Sequence, residues 1–167
     1  MTLRKKVILL NGPSSSGKST LAAALRKLIE DKRNEDYGVV SIDDFLKLRA
    51  GEAVYEDDVF EIAPQICTRA IRLLETRQGV IIDHVMTSER IFNQLLEALG
   101  AWDLLLIRVT CPPAELARRE RARKDRCPGT AEASDRYLFP KDGYDLTVDT
   151  FLDTAQACSA RILNLMG

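Results

Sequence analysis

The sequence predicts an α/β protein in three layers, a parallel five-stranded sheet covered on both faces by helices. Three observations carry this. Short apolar runs recur and close on polar or acidic residues, and stretches with apolar residues at helical spacing lie between them. The first apolar run leads straight into Gly12-Pro13-Ser14-Ser15-Ser16-Gly17-Lys18-Ser19, which fits G-x-x-x-x-G-K-[ST]. Such alternation implies right-handed crossovers, with a ligand crevice along the edge where the strands end.

The first strand runs from about Lys6 to Leu10, with Val7-Ile8-Leu9-Leu10 as its apolar part. Each position of the loop after it has a job. Glycines let successive N–H groups turn inward around phosphate oxygens, and the helix that follows adds unpaired N–H groups and its positive dipole end. Gly12, Pro13, Ser14, Ser15, Ser16, Gly17, Lys18, Ser19 and Thr20 are therefore the candidate nucleotide cradle. Lys18 is placed to reach the β- and γ-phosphates, and the Ser19 hydroxyl to ligate Mg²⁺. Four fixed letters also occur in ordinary Gly/Ser turns. The strand before the motif and the apolar face Leu21, Leu25, Leu28 and Ile29 after it favour triphosphate binding. That helix is expected from Gly17 to about Asp31.

Tyr37 to Ile42 reads as the second strand and ends in Asp43-Asp44, at the ligand end of the sheet. Asp43 is the candidate general base, and Asp44 reads as the N-cap of a short helix beginning near Phe45. Residues 45–58, with Phe45, Leu46, Leu48 and Tyr55 among charges, are either a substrate-pocket wall or a surface loop. A helix from about Asp58 to Arg77 presents Ile62, Ile66, Ala70, Leu73 and Leu74 on one face.

Val80-Ile81-Ile82-Asp83 is the third strand, and its closing carboxylate has the form of a Walker B acid. Asp83 is thus a candidate Mg²⁺ residue beside Ser19, with helix capping as the plainer reading. His84 is the only histidine, and a lone histidine is more often structural than a base. Ser88 should cap a helix with apolar face Ile91, Leu95, Leu96 and Leu99, ended by Gly100. Leu104 to Val109 is the fourth strand.

Pro112 and Pro113 suit the start of a helix that carries Arg118, Arg119, Arg121, Arg123, Lys124 and Arg126. This run fits a solvated face, a nucleic-acid patch or a lid that closes arginines over a phosphoryl group. Residues 112–130 contain no aromatic for base stacking, and phosphoryl transfer spreads negative charge that arginine stabilises, so the lid is favoured. Residues 127–143 read as a mobile connection. Tyr144 to Val148 is a last short strand, and Phe151, Ala155, Cys158, Ile162 and Leu165 stripe a final helix.

Length bounds the rest. A chain of 167 residues can build one sizeable core, so a single domain over 1–167 is expected. With 24 Lys and Arg against 25 Asp and Glu, the net charge of -1 offers no general pull toward nucleic acid or membrane, and neither is an expected partner. Cys67, Cys111, Cys127 and Cys158 form no C-x-x-C pair and read as reduced packing residues. The basic-then-apolar N-terminus stops at Asn11, too early for a signal or membrane segment, which places the protein in the cytoplasm. Oligomeric state stays open.

The guanine-reading N-K-x-D and the D-x-x-G switch of a GTPase are absent, whereas a kinase needs a base beside an acceptor hydroxyl, and Asp43 is placed to be one. Five segments carry a resemblance: I-L-L-N-G-P-S-S-S-G-K-S, S-I-D-D-F, I-I-D-H-V, the C-P-P start of the A-R-K-D-R segment, and G-Y-D-L-T-V-D-T. In order and spacing, over nearly the whole chain, they resemble the chloramphenicol phosphotransferase family. The resemblance implies a nucleoside-kinase-like P-loop fold with strand order 2-3-1-4-5 and ATP-dependent phosphorylation of a small-molecule hydroxyl. It also implies Asp43 as the base, Lys18 as the phosphate-binding lysine, and Arg123 and Arg126 as lid arginines near the phosphates. The chain departs from that pattern at Asp43-Asp44 and Asp83-His84, both on the acceptor side. An ATPase switch and a toxin-type nucleotide-sugar kinase are the alternatives of similar architecture.

Overall fold

Runs such as Val7 to Leu10 and Val80 to Ile82 have no polar face to offer solvent, so the strands they form must be covered on both sides. The computed structural model, which describes residues 4–46 and 52–167, shows how this is done. In chain order the elements are β1 (Lys6–Asn11), α1 (Lys18–Arg33), β2 (Tyr37–Ser41), α2 (Glu56–Thr76), β3 (Gly79–His84) and α3 (Glu89–Leu99). Then come β4 (Asp103–Thr110), α4 (Pro113–Arg123), α5 (Thr130–Arg136), β5 (Leu146–Asp149) and α6 (Ala155–Leu165). All strand pairs are parallel, in the order β2-β3-β1-β4-β5.

Alternation along β1 divides the core. Val7 and Leu9 point to the layer where α2 and α3 bring Ile66, Ala70, Ile91 and Leu95. Ile8 and Leu10 point to the opposite layer, against Leu21 and Leu25 of α1 and Ile162 of α6. Truncating a fully buried member such as Ile81 or Leu9 to alanine costs about 2–5 kcal/mol, because the cavity left behind collapses only in part. Among the described residues, no helix is long and apolar enough to cross a membrane. The four cysteines are free.

The β1–β3 register sets Leu10 opposite Asp83 and Asn11 opposite His84, and β2 ends at Ser41 opposite Asp83. The loop after β1, the acid ending β3 and the acids after β2 are therefore gathered at one end of the sheet. Tight approach fixes the loop's start, since a Cβ on Gly12 would fall 2.5 Å from the Val109 carbonyl oxygen of β4.

Four local expectations are corrected. Asp44 does not cap a helix at Phe45; Asp43 and Asp44 lie inside a 3₁₀ turn, Ile42–Asp44, whose N-cap is Ser41, with its hydroxyl accepting from the Asp43 N–H at 3.3 Å. Residues 127–143 are not one irregular connection, because α5 forms within them. Phe151 is 54% exposed and precedes α6 instead of joining its apolar stripe. β5 begins at Leu146, leaving Tyr144 free to place its ring by Arg108 and its hydroxyl near Asn11. Leu48, offered as part of a pocket wall, lies outside the described residues.

Candidate active site

The loop between β1 and α1 wraps around a point at the helix N-terminus. Ser15 has φ 68° and Gly17 φ 88°, left-handed conformations that coil the backbone into a nest of N–H groups. The Ser15 hydroxyl is buried with no hydrogen-bond partner, a donor left for a ligand oxygen. The Lys18 ammonium, 5% exposed, donates to the Pro13 carbonyl at 2.8 Å and lies 3.4 Å from the Ser16 hydroxyl. Burial pulls its pKa below the ordinary lysine value, Asp83 and Asp43 pull it back up, and Arg123 and Arg126 push it down. A multiply charged anion in this nest would compensate that desolvation directly.

Ser19, the first-turn hydroxyl of α1, donates to Asp83 Oδ2 at 2.7 Å, and the Ser41 hydroxyl donates to the same oxygen at 3.1 Å. The donors are hard oxygens beside the phosphate nest, which fits Mg²⁺, an ion that takes one or two protein oxygens and shares the rest of its shell with phosphate and water. Among the described residues, no cluster of three or more His, Cys, Asp or Glu could hold a metal ion. His84 serves structure. Its Nδ1 accepts from the Val85 N–H at 2.8 Å, and burial lowers its pKa to about 4, so the ring is neutral and carries its proton on Nε2, which is buried without a partner.

Across the nest stands Asp43. Its carboxylate, 41% exposed, accepts from Arg126 Nη2 at 2.7 Å and lies 3.9 Å from Arg123 Nη2. Two cavities meet at this residue. One, of about 290 Å³, is lined by Lys18, Ser19, Asp83, Arg119 and Arg123. The other, of about 410 Å³, is lined largely by apolar side chains, among them Leu46, Val54, Val59 and Tyr137. Ser14, Ile42, Asp43, Val85 and Arg126 line both, so they form a wall that the two share. Among the described residues, the charged side chains of the larger cavity have protein counter-ions: Asp43 pairs with Arg126, and Glu56 accepts from Arg90 Nε at 2.6 Å and from the Ser88 hydroxyl at 2.6 Å. Those bonds, Arg90 first, hold the Glu56 carboxyl down at about 2.

Sequence reasoning brings Lys18, Ser19, Asp43, Asp83, Arg123 and Arg126 to one place, and so does the chain. It does not single out the residues that brace them. Glu120 of α4, 8% exposed, accepts from the N–H groups of Gly129 at 3.0 Å and Ala131 at 2.7 Å, capping α5 from another helix. Ser134 of α5 accepts from the Ser14 N–H at 2.9 Å. Asn11 bridges Tyr144, Phe139 and Met86 beneath the loop. The sequence signal for Glu120 is a glutamate inside an arginine run, which does not by itself mark a helix cap.

A parallel 2-3-1-4-5 sheet with a phosphate nest after β1, an acid ending β3 and an acid after β2 facing arginines defines a P-loop kinase, an enzyme that moves a phosphoryl group to a hydroxyl acceptor. Residues 5–166 match the family described as chloramphenicol phosphotransferase-like protein, and the chain belongs to that family. Two Mycobacterium tuberculosis sequences, provisionally named O-phosphotransferases, are each 30% identical over 172 residues, covering 87% of this chain and 75% of theirs. Among solved structures, the Mycobacterium tuberculosis APS kinase in complex with AMPPNP and APS superposes with a TM-score of 0.73 at 15% identity, covering 99% of both chains. A gluconokinase from Sinorhizobium meliloti gives 0.67 at 18% identity over 99% of this chain and 97% of that one. Shikimate kinase from Acinetobacter baumannii in complex with shikimate gives 0.64 at 16% identity over 99% and 93%. At these identities the structures establish the fold.

Proposed function

We propose that this chain is a single catalytic domain that transfers the γ-phosphoryl group of ATP to a hydroxyl of a small, uncharged, largely apolar alcohol, a chloramphenicol-like antibiotic or related metabolite. One observation carries the reading: Asp43 lines both the phosphate-side cavity and the apolar cavity, so one carboxylate borders both donor and acceptor space. In this scheme the loop amides and Lys18 grip the triphosphate, and Ser19 with Asp83 would hold Mg²⁺. Bound there, the ion would neutralise charge on the β- and γ-oxygens. Asp43 accepts the proton of the acceptor hydroxyl as its oxygen attacks the γ-phosphorus. A bond from that oxygen to phosphorus forms, the bond from phosphorus to the β–γ bridging oxygen breaks, and ADP leaves. Arg123 and Arg126, on the lid we assign to residues 112–130, stabilise charge on the transferring group.

The charge pairing among the described residues of the larger cavity supports a neutral acceptor. An anionic acceptor would need a free cation there, and among the described lining residues the one cation, Arg126, is already engaged with Asp43. Incubating the protein with MgATP and a panel of alcohols, chloramphenicol included, and reading product by mass spectrometry tests this. Neutral apolar alcohols should gain one phosphoryl group, and turnover confined to carboxylate- or sulfate-bearing acceptors would contradict it.

A further inference from the structure

The β5–α6 turn touches the phosphate loop through a residue outside the roles above. The Thr150 hydroxyl donates to the Ser16 carbonyl at 2.6 Å and accepts from Arg119 Nη1 at 3.0 Å, while the Thr150 carbonyl accepts from Arg119 Nη2 at 3.2 Å. Thr150 is itself fixed to the sheet, its N–H donating to the Thr110 carbonyl at 3.1 Å just past the end of β5. Arg119 is anchored at its other end by Glu115 at 3.0 Å. One residue thus joins β4, α4 and the crest of the loop.

We propose that Thr150 is a positioning residue of the donor site, its hydroxyl locking the Ser16–Gly17 peptide so that the Gly17 N–H stays turned toward the phosphate nest. In a planar trans peptide the C=O and N–H bonds point in opposite directions, so holding the Ser16 carbonyl on the Thr150 side directs the Gly17 N–H the other way. The lock is needed because Gly17, at φ 88°, has no Cβ to restrict rotation of that peptide. Contact is close: a Cβ on Gly17 would lie 3.7 Å from the Thr150 side chain and 3.4 Å from Arg119 Nη1. The turn itself does not depend on this hydroxyl, since Asp149 Oδ1 accepts from the N–H groups of Phe151 at 2.8 Å and Leu152 at 3.1 Å. Because Arg119 lines the phosphate-side cavity with Arg123, the same hydroxyl also sets where α4 meets the loop.

This inference rests on the donor-site reading, and the test separates the two. MgATP affinity is measured by calorimetry for the wild-type protein, Thr150→Val and Thr150→Ser, with the amide resonance of Gly17 followed in the same samples. Thr150→Val should weaken MgATP binding about tenfold and shift the Gly17 resonance, and Thr150→Ser should stay within about twofold of wild type. Wild-type affinity in Thr150→Val, or an equal loss in Thr150→Ser, overturns the inference. A wild-type protein that does not bind MgATP overturns the donor-site reading, and this inference with it. Should Thr150→Val fail to fold, Thr150→Cys, whose thiol is a weak donor, takes its place with the same two outcomes.

Discussion

Arg126 Nη2 donates to Asp43 Oδ1 at 2.7 Å, tying the segment after α4 to the acid after β2 across 83 residues of sequence. The candidate base and a candidate phosphate-side arginine are thus partners. A phosphoryl group between them would draw the guanidinium toward its own oxygens and leave the carboxylate to the acceptor proton. Arg126→Ala should lower kcat about a hundredfold, as losing one preorganised donor does elsewhere, while MgATP affinity changes less. Steady-state kinetics beside calorimetry checks the split.

Asp83 accepts from the Ser19 and Ser41 hydroxyls, and in the proposed scheme it holds Mg²⁺ together with Ser19. Asp83→Asn keeps the shape and removes the charge, so the Mg²⁺ concentration giving half-maximal turnover should rise about tenfold or more. Chelation by EDTA should stop turnover of the wild type, and added Mg²⁺ should restore it.

Lys18 is buried beside the Pro13 carbonyl and the Ser16 hydroxyl, with its charged form disfavoured by desolvation. Replacing it with an apolar side chain of similar length relieves that cost. Lys18→Met should abolish detectable MgATP binding and raise stability of the ligand-free protein by about 1 kcal/mol, read as a higher midpoint in urea.

His84 sets an acid limit. Its folded pKa of about 4 lies below its ordinary 6.5, so the unfolded chain takes up a proton at that site first. Its contribution is therefore complete above pH 6.5 and is lost as pH falls from there toward 4, by up to about 3 kcal/mol. His84→Gln should flatten the urea-midpoint profile over that window relative to wild type. An unchanged slope would remove the histidine as its source.

Much of this was legible beforehand, for local reasons. The strands and the large helices show in the chain because burial on both sheet faces forces continuous apolar runs, and Ile66, Ala70 and Leu74 must recur on one side of α2. Lys18, Ser19 and Asp83 follow from fixed spacing at strand ends. What stayed hidden depends on distant partners. Residues 130–136 have no apolar stripe, and α5 forms where Glu120, ten residues before Thr130, supplies its cap. Ser41 displaces Asp44 as a cap because its hydroxyl also reaches Asp83 on the neighbouring strand. Thr150 lies past the expected last strand with no local signal of a role, and only the fold sets it against Ser16.

The central claim is that Asp43 takes the acceptor proton while the loop after β1 holds the triphosphate. The most direct measurement compares wild type with Asp43→Asn, following transfer of the labelled γ-phosphoryl group to an alcohol accepted in the panel and measuring MgATP affinity in the same preparations. The account predicts a fall in kcat of about a hundredfold or more, with affinity for MgATP preserved within a few-fold. Transfer at the wild-type rate by Asp43→Asn would contradict it.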